Sequence, residues 1–117
     1  MQRLRALLLA FGLCITATMA RADEHPGQVM VFGSGTASCG SWMLSRNNYE
    51  NDAWIFGFLT AYNMYLVKRG TTISAGTDAS GLIGWVDNYC RAHPLDSIFD
   101  AAVRLVEELQ RRMAPRN

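Results

Sequence analysis

Histidine is nearly missing from this chain: His25 and His93 are the two it has in 117 residues, and cysteine stops at three. A protein-held metal ion needs several His, Cys or carboxylate ligands converging on one point. Ligands this sparse argue against a metal centre, and no cofactor is expected. A surplus of one charge is missing too. Eleven Lys and Arg stand against ten Asp and Glu. That balance excludes the basic surface that nucleic acid or an acidic membrane attracts. The glycine-rich stretch Gly33 to Ser38 lacks the lysine and the long following helix of a phosphate-binding P-loop. No nucleophile elbow is present, so Ser41, His93 and Asp87 make a triad only on paper. Cys39 has no neighbouring base or positive setting, which a catalytic thiol needs. The chain therefore reads as no enzyme.

Long apolar runs are also scarce. The first belongs to an address rather than a fold. Arg3 and Arg5 precede the apolar segment Ala6 to Ala17, and Ala20-Arg21-Ala22 fits a small-residue cleavage site. Residues 1–22 are thus predicted to be a signal peptide, with the mature protein, 23–117, a single small helical domain in the periplasm. Cys14 would leave with the signal, and Cys39 and Cys90 would remain. Two cysteines in an oxidising compartment predict one disulfide. It would close a loop of about 50 residues, worth about 4 kcal/mol on the chain-entropy account. Losing Arg3, Arg5 and Arg21 leaves eight basic against ten acidic residues, a mild −2.

The second run, Ala53 to Val67, organises the rest. Its fifteen residues fall short of the roughly 20 a bilayer needs. It also contains Thr60 and Asn63, so no stable membrane insertion is expected after signal cleavage. A helix is predicted over Asn51 to Arg69, with Asp52 near its start, Lys68 and Arg69 at its end and Gly70 as the stop. Ile55, Phe58, Leu59, Tyr62 and Leu66 share one face, and Trp54, Phe58, Ala61 and Tyr65 form a second stripe. A helix apolar nearly all round reads as wrapped in core. Gly57 would mark a close approach by a neighbouring element, and Asn63, if buried, would bind a loop backbone.

Before this helix, Val29 to Phe32 has room for one short strand, Gly33 to Ser38 reads as a loop, and Trp42 is placed against the disulfide. After it, Gly70 to Gly81 is a polar loop. A helix follows over Gly81 to Ala92, capped by Asp78 or Ser80, with Leu82, Trp85, Val86 and Tyr89 on its apolar face beside Cys90. Asp87 is placed on the opposite, outer side, paired with Arg91, and His93 in a turn before Pro94. The last helix is capped by Asp96 or Ser97, with Ser97 and Asp100 resembling a capping box. Ile98, Ala102, Leu105, Val106, Leu109 and Met113 form its inner face. Asp100–Arg104, Glu107–Arg111 and Glu108–Arg112 form outer pairs.

Three quoted stretches carry a resemblance: Gly57-Phe58-Leu59, Tyr89-Cys90-Arg91-Ala92-His93-Pro94, and Ala101-Ala102 through Leu109. From Trp54 to Leu109 the chain resembles the Tai/Rap-type immunity proteins, which protect the periplasm from type VI secretion amidases. Members usually carry a cysteine just before the Gly-aromatic step, where this chain has Ile55. The resemblance implies a mostly α, disulfide-linked domain of three to four helices that binds a protein partner, a cell-wall amidase effector. The polar loop, with Thr71, Thr72, Ser74, Thr77 and Asp78, is the candidate binding surface. A homodimer is left open. A looser resemblance, in size, helicity and single disulfide, is to the Hde acid-stress chaperones. That implies the alternative, a periplasmic stress chaperone; a structural protein of unknown role is the third reading.

Overall fold

The computed structural model describes residues 29–114. The signal peptide read at 1–22, with Cys14, lies outside them, as do the segment 23–28 and Pro115. The described residues form four α-helices: α1, Cys39–Leu44; α2, Tyr49–Leu66; α3, Ala79–Ala92; and α4, Ile98–Met113. A single 3-10 turn, Gly33–Thr36, precedes them. Mostly α architecture with a Cys39–Cys90 disulfide is thus what this sequence builds.

Each helix starts at a side chain that satisfies its first free N–H groups. Ser38 accepts from Ser41 N at α1, Asn48 from Glu50 N at α2, and Asp78 from Gly81 N at α3. Ser97 and Asp100 form the full capping box at α4. Two of these caps face each other. Ser38 and Ser97 make an antiparallel bridge, with Cys39 N donating to Asp96 O at 2.7 Å and Ile98 N to Ala37 O at 2.9 Å. Gly40 N adds a bond to Pro94 O at 2.9 Å. This backbone seam sets α1 and α4 side by side at their starts.

The core lies between α1, α3, α4 and one face of α2. Trp42, Ile55, Val86, Ile98 and Leu105 are buried in it with the cystine. The disulfide joins α1 to α3 with Cα atoms 4.6 Å apart. On α4 the expected inner face is buried apart from Met113, which is exposed at the final turn. Of its three expected outer pairs, Glu108–Arg112 forms. Asp100 is used by the cap instead, so Arg104 turns to Glu107, and Arg111 joins Glu108.

Several expectations are corrected. No strand forms among the described residues. Phe32 is extended, but nothing lies alongside to pair with it, and its carbonyl accepts from Trp54 Nε1 at 2.7 Å instead. The stretch Gly33 to Ser38 winds into the 3-10 turn under Trp54, where a Cβ on Gly35 would run into the Trp54 ring. The central helix begins at Tyr49 because Asn48, not Asp52, is its cap, and it ends at Leu66 because Val67 is already extended. Gly70 lies beyond, at φ +84°. Above all, α2 is not wrapped. Ile55 and Leu59 are buried, but Ala53, Gly57, Thr60, Ala61, Met64, Tyr65 and Leu66 are exposed. Among the described residues the 3-10 turn and α4 pack against one side of it, and the other side is left open. Gly57 has no close neighbour.

Candidate functional site

Two features of the described residues carry chemistry. The first is an ion cluster under the groove between α2 and α3. Asp87 is 7% exposed. Its Oδ1 accepts from Trp42 Nε1 at 2.8 Å, and its Oδ2 pairs with Arg46 at 2.5 Å. The expected outer pair with Arg91 does not form; Arg91 donates to Asn88. The reason is angular. Asp87 stands three residues before Cys90, so the turn that buries the cystine also carries Asp87 inward. That spacing was the available sign. A buried carboxylate then requires partners, and α1 and the turn after it supply an indole and a guanidinium.

Asp52 completes the cluster. Its carboxyl is pushed above the usual carboxylate range, first by burial and then by the negative charge of Asp87, while Arg46 pulls the other way. Around these three groups opens a groove of about 650 Å³, with Tyr49, Phe56, Ile83 and Gly84 along its walls. The walls are mostly apolar or small, so the groove offers contact area with a charged end. No hydrogen bond joins Ser41, His93 and Asp87. His93 is exposed at the end of α3, with its ring stacked on Tyr89 at 4.5 Å. The Tyr89 hydroxyl donates to Asp96 at 2.5 Å, which holds the phenol proton and pushes its pKa up. Trp85 stacks on the other side of Tyr89 at 5.6 Å. Among the described residues no three His, Cys, Asp or Glu side chains converge as a metal site.

The second feature is the polar loop, residues 67–78. It is pinned rather than loose. Ile73 is buried to 1% exposure and plugs the core from above α2. Asn63, half-buried, accepts through Oδ1 from Ile73 N at 2.8 Å, the loop-backbone bond expected of it. Thr71 Oγ1 donates to Lys68 O at 2.6 Å, and the Thr72 and Ser74 hydroxyls lie 3.1 Å apart. Gly70 and Gly76 both have positive φ, the region that glycine reaches without strain. Of the candidate contact residues, Thr71, Thr72 and Asp78 are exposed; Ser74 and Thr77 are half-buried. Asp78 also caps α3, so its side chain is already engaged. Sequence reasoning missed Ile73 because one aliphatic residue in a polar stretch has no periodicity to mark it.

Compared with family models, curated proteins and solved structures, the chain matches none. No helix among the described residues is long and apolar enough to cross a membrane.

Proposed function

We propose that this chain is an exported, non-catalytic binding protein of the periplasm, an immunity-like inhibitor of a cell-wall amidase effector. The observation that carries the reading is the pinned loop. Ile73 and Asn63 tie it to the core and to α2, while Thr71 and Thr72, their hydroxyls bonded within the loop, are exposed to solvent. A loop ordered before binding loses less entropy when it enters a partner's cleft, so more of the contact energy appears as affinity. The disulfide fits life in an oxidising compartment. The resemblance between Trp54 and Leu109 supplies the partner class.

The test is affinity capture from periplasmic extract, followed by mass spectrometry. One stoichiometric cell-wall hydrolase, inhibited by the wild-type protein and not by a Thr72→Trp variant of equal stability, is the expected result. Recovery without a hydrolase would remove the immunity reading. The stress-chaperone reading has one observation in its favour, the exposed apolar residues Met64, Tyr65 and Leu66. Its signature would be many unrelated clients, held only after acid treatment.

A further inference from the structure

The outer face of α2 has an unusual make-up. From Ala53 to Val67 it carries no charged side chain. Ala53, Gly57, Thr60, Ala61 and Met64 fall on one side at 3.6 residues per turn, and all are exposed. Tyr65, at the edge of that face, is 79% exposed. A Cβ at Gly57 would meet nothing within 4 Å. Helices apolar on both sides are normally covered on both. We infer that a second copy of this chain covers this face, the two α2 helices packing antiparallel across a twofold axis that crosses α2 at the level of Leu59, on the side away from that buried residue.

Charge chooses that occupant. A twofold contact sets a surface against itself, so any charge near its middle would meet its own kind. This face has none there. Its charges sit at the ends and are opposite in sign. Glu50 and Asp52 lie in the first turn, and Lys68 and Arg69 just past the last. Antiparallel pairing brings Glu50 of each copy to Lys68 of the other; parallel pairing would set acid on acid. The same register places Gly57 opposite Ala61, where small residues let two helices approach closely. It also brings Tyr65 of the second copy to the level of Ala53 and Trp54. There an apolar groove of about 390 Å³ opens beside Trp54, Phe58 and Phe99. Two 18-residue helices meet along about 27 Å, near the lower end of stable interfaces at about 1,200 Å². Interfaces at this lower end of the size range are commonly weak, so association in the micromolar range is the expectation. The polar loop, with its crest beyond the helix end, stays free for another partner.

Sedimentation of the purified protein, disulfide intact, from about 1 to 500 µM spans that range and reads the outcome. A monomer–dimer equilibrium is expected. Gly57→Leu and Ala61→Glu should each weaken it at least about tenfold while the monomer stays folded, since both positions are open. Gly57→Leu should raise the monomer's melting slightly through its better helix propensity, so a weaker dimer cannot be put down to lost fold. Glu50→Lys alone and Lys68→Glu alone should each weaken the dimer about fivefold, since each creates two repulsive contacts. The two reversals together should restore it. A monomer at every concentration overturns the inference. So does a dimer indifferent to Gly57→Leu and Ala61→Glu, or a double reversal no better than either single one.

Discussion

Arg46 shows how one exposed side chain can govern a buried one. Its guanidinium is the cation for both Asp87 and Asp52, yet its side chain is 44% exposed against 10% for Asp87. Arg46→Gln would leave two carboxylates facing each other, one of them buried, with the Trp42 indole as the remaining donor to Asp87. Removing one partner of a largely buried pair costs more than the pair contributes net. Partial exposure of Arg46 brings the expected loss to about 1–3 kcal/mol at pH 7. The pH dependence has a definite sign. Asp52 binds its proton more tightly folded than unfolded, mainly because burial penalises its charge. Its contribution to stability therefore rises as pH falls through the folded value, and levels off below the ordinary value of 3.8. Without Arg46 that preference grows, so the variant's deficit should shrink as the solution is acidified. Urea unfolding of both proteins at neutral and mildly acidic pH measures it; a deficit constant with pH would detach Asp52 from the cluster. A steric prediction sits nearby. Gly35→Ala must displace the Trp54 ring, breaking its bond to Phe32 and its stack on Phe58 at 5.7 Å. Overpacking of this kind costs about 1–3 kcal/mol, with a shift in tryptophan emission as the local readout.

At the scale of elements, legibility followed how much each segment's sequence decides for itself. The last helix was readable because its apolar spacing and its Ser97 box agree, and both are local. The end of α3 was readable for the same reason, Pro94 following Ala92, whereas its start lies at Ala79 rather than Gly81 because Asp78, not Ser80, is the cap. By contrast, α2 gave a sound helix and a false environment. Periodicity reports which residues could be buried; how much chain is left to bury them is a property of the whole. Gly57 illustrates the gap: the expected neighbour is absent among the described residues. Asp87 was misplaced because its partners, Trp42 and Arg46, are more than forty residues away. The loop was half readable. Asn63 announced a backbone partner, but nothing announced that Ile73 would be that partner. Asn63→Ala tests the link between the two elements. It leaves the Ile73 N–H without its acceptor, at a cost of about 1–3 kcal/mol. Amide exchange across residues 71–77 should quicken well beyond that of α4, and capture of the partner proposed for the loop should weaken more than stability does. Uniform quickening across the whole chain would mean that the bond serves the fold and not the loop.

The whole molecule is small enough that one covalent link changes its balance. A domain of this size buries a smaller share of its surface than a larger one does, and its margin is correspondingly thin. Three contacts hold α1 in place: the Ser38–Ser97 seam, the Trp42–Asp87 bond and the Cys39–Cys90 link. Helix α1 has six residues, too few to persist unaided. Its position therefore depends on these attachments, and with it the ion cluster, since Arg46 lies just past its end. The disulfide closes a sequence separation of 51 residues, which the chain-entropy account values at about 4 kcal/mol. Replacing both cysteines by alanine keeps the interior free of a lone thiol while removing the constraint. The double variant should lose about 4 kcal/mol on that account. The loss should not spread evenly. Amides of α1 and the seam should exchange first, Trp42 should become accessible, and α3 and α4 should stay protected until global unfolding, because their packing does not pass through α1. A loss below about 1 kcal/mol would assign α1 to the seam and the indole bond, and make the disulfide a lock on an already stable arrangement. A loss near the full value, with exchange beginning in α1, would make it the link on which the cluster's geometry depends.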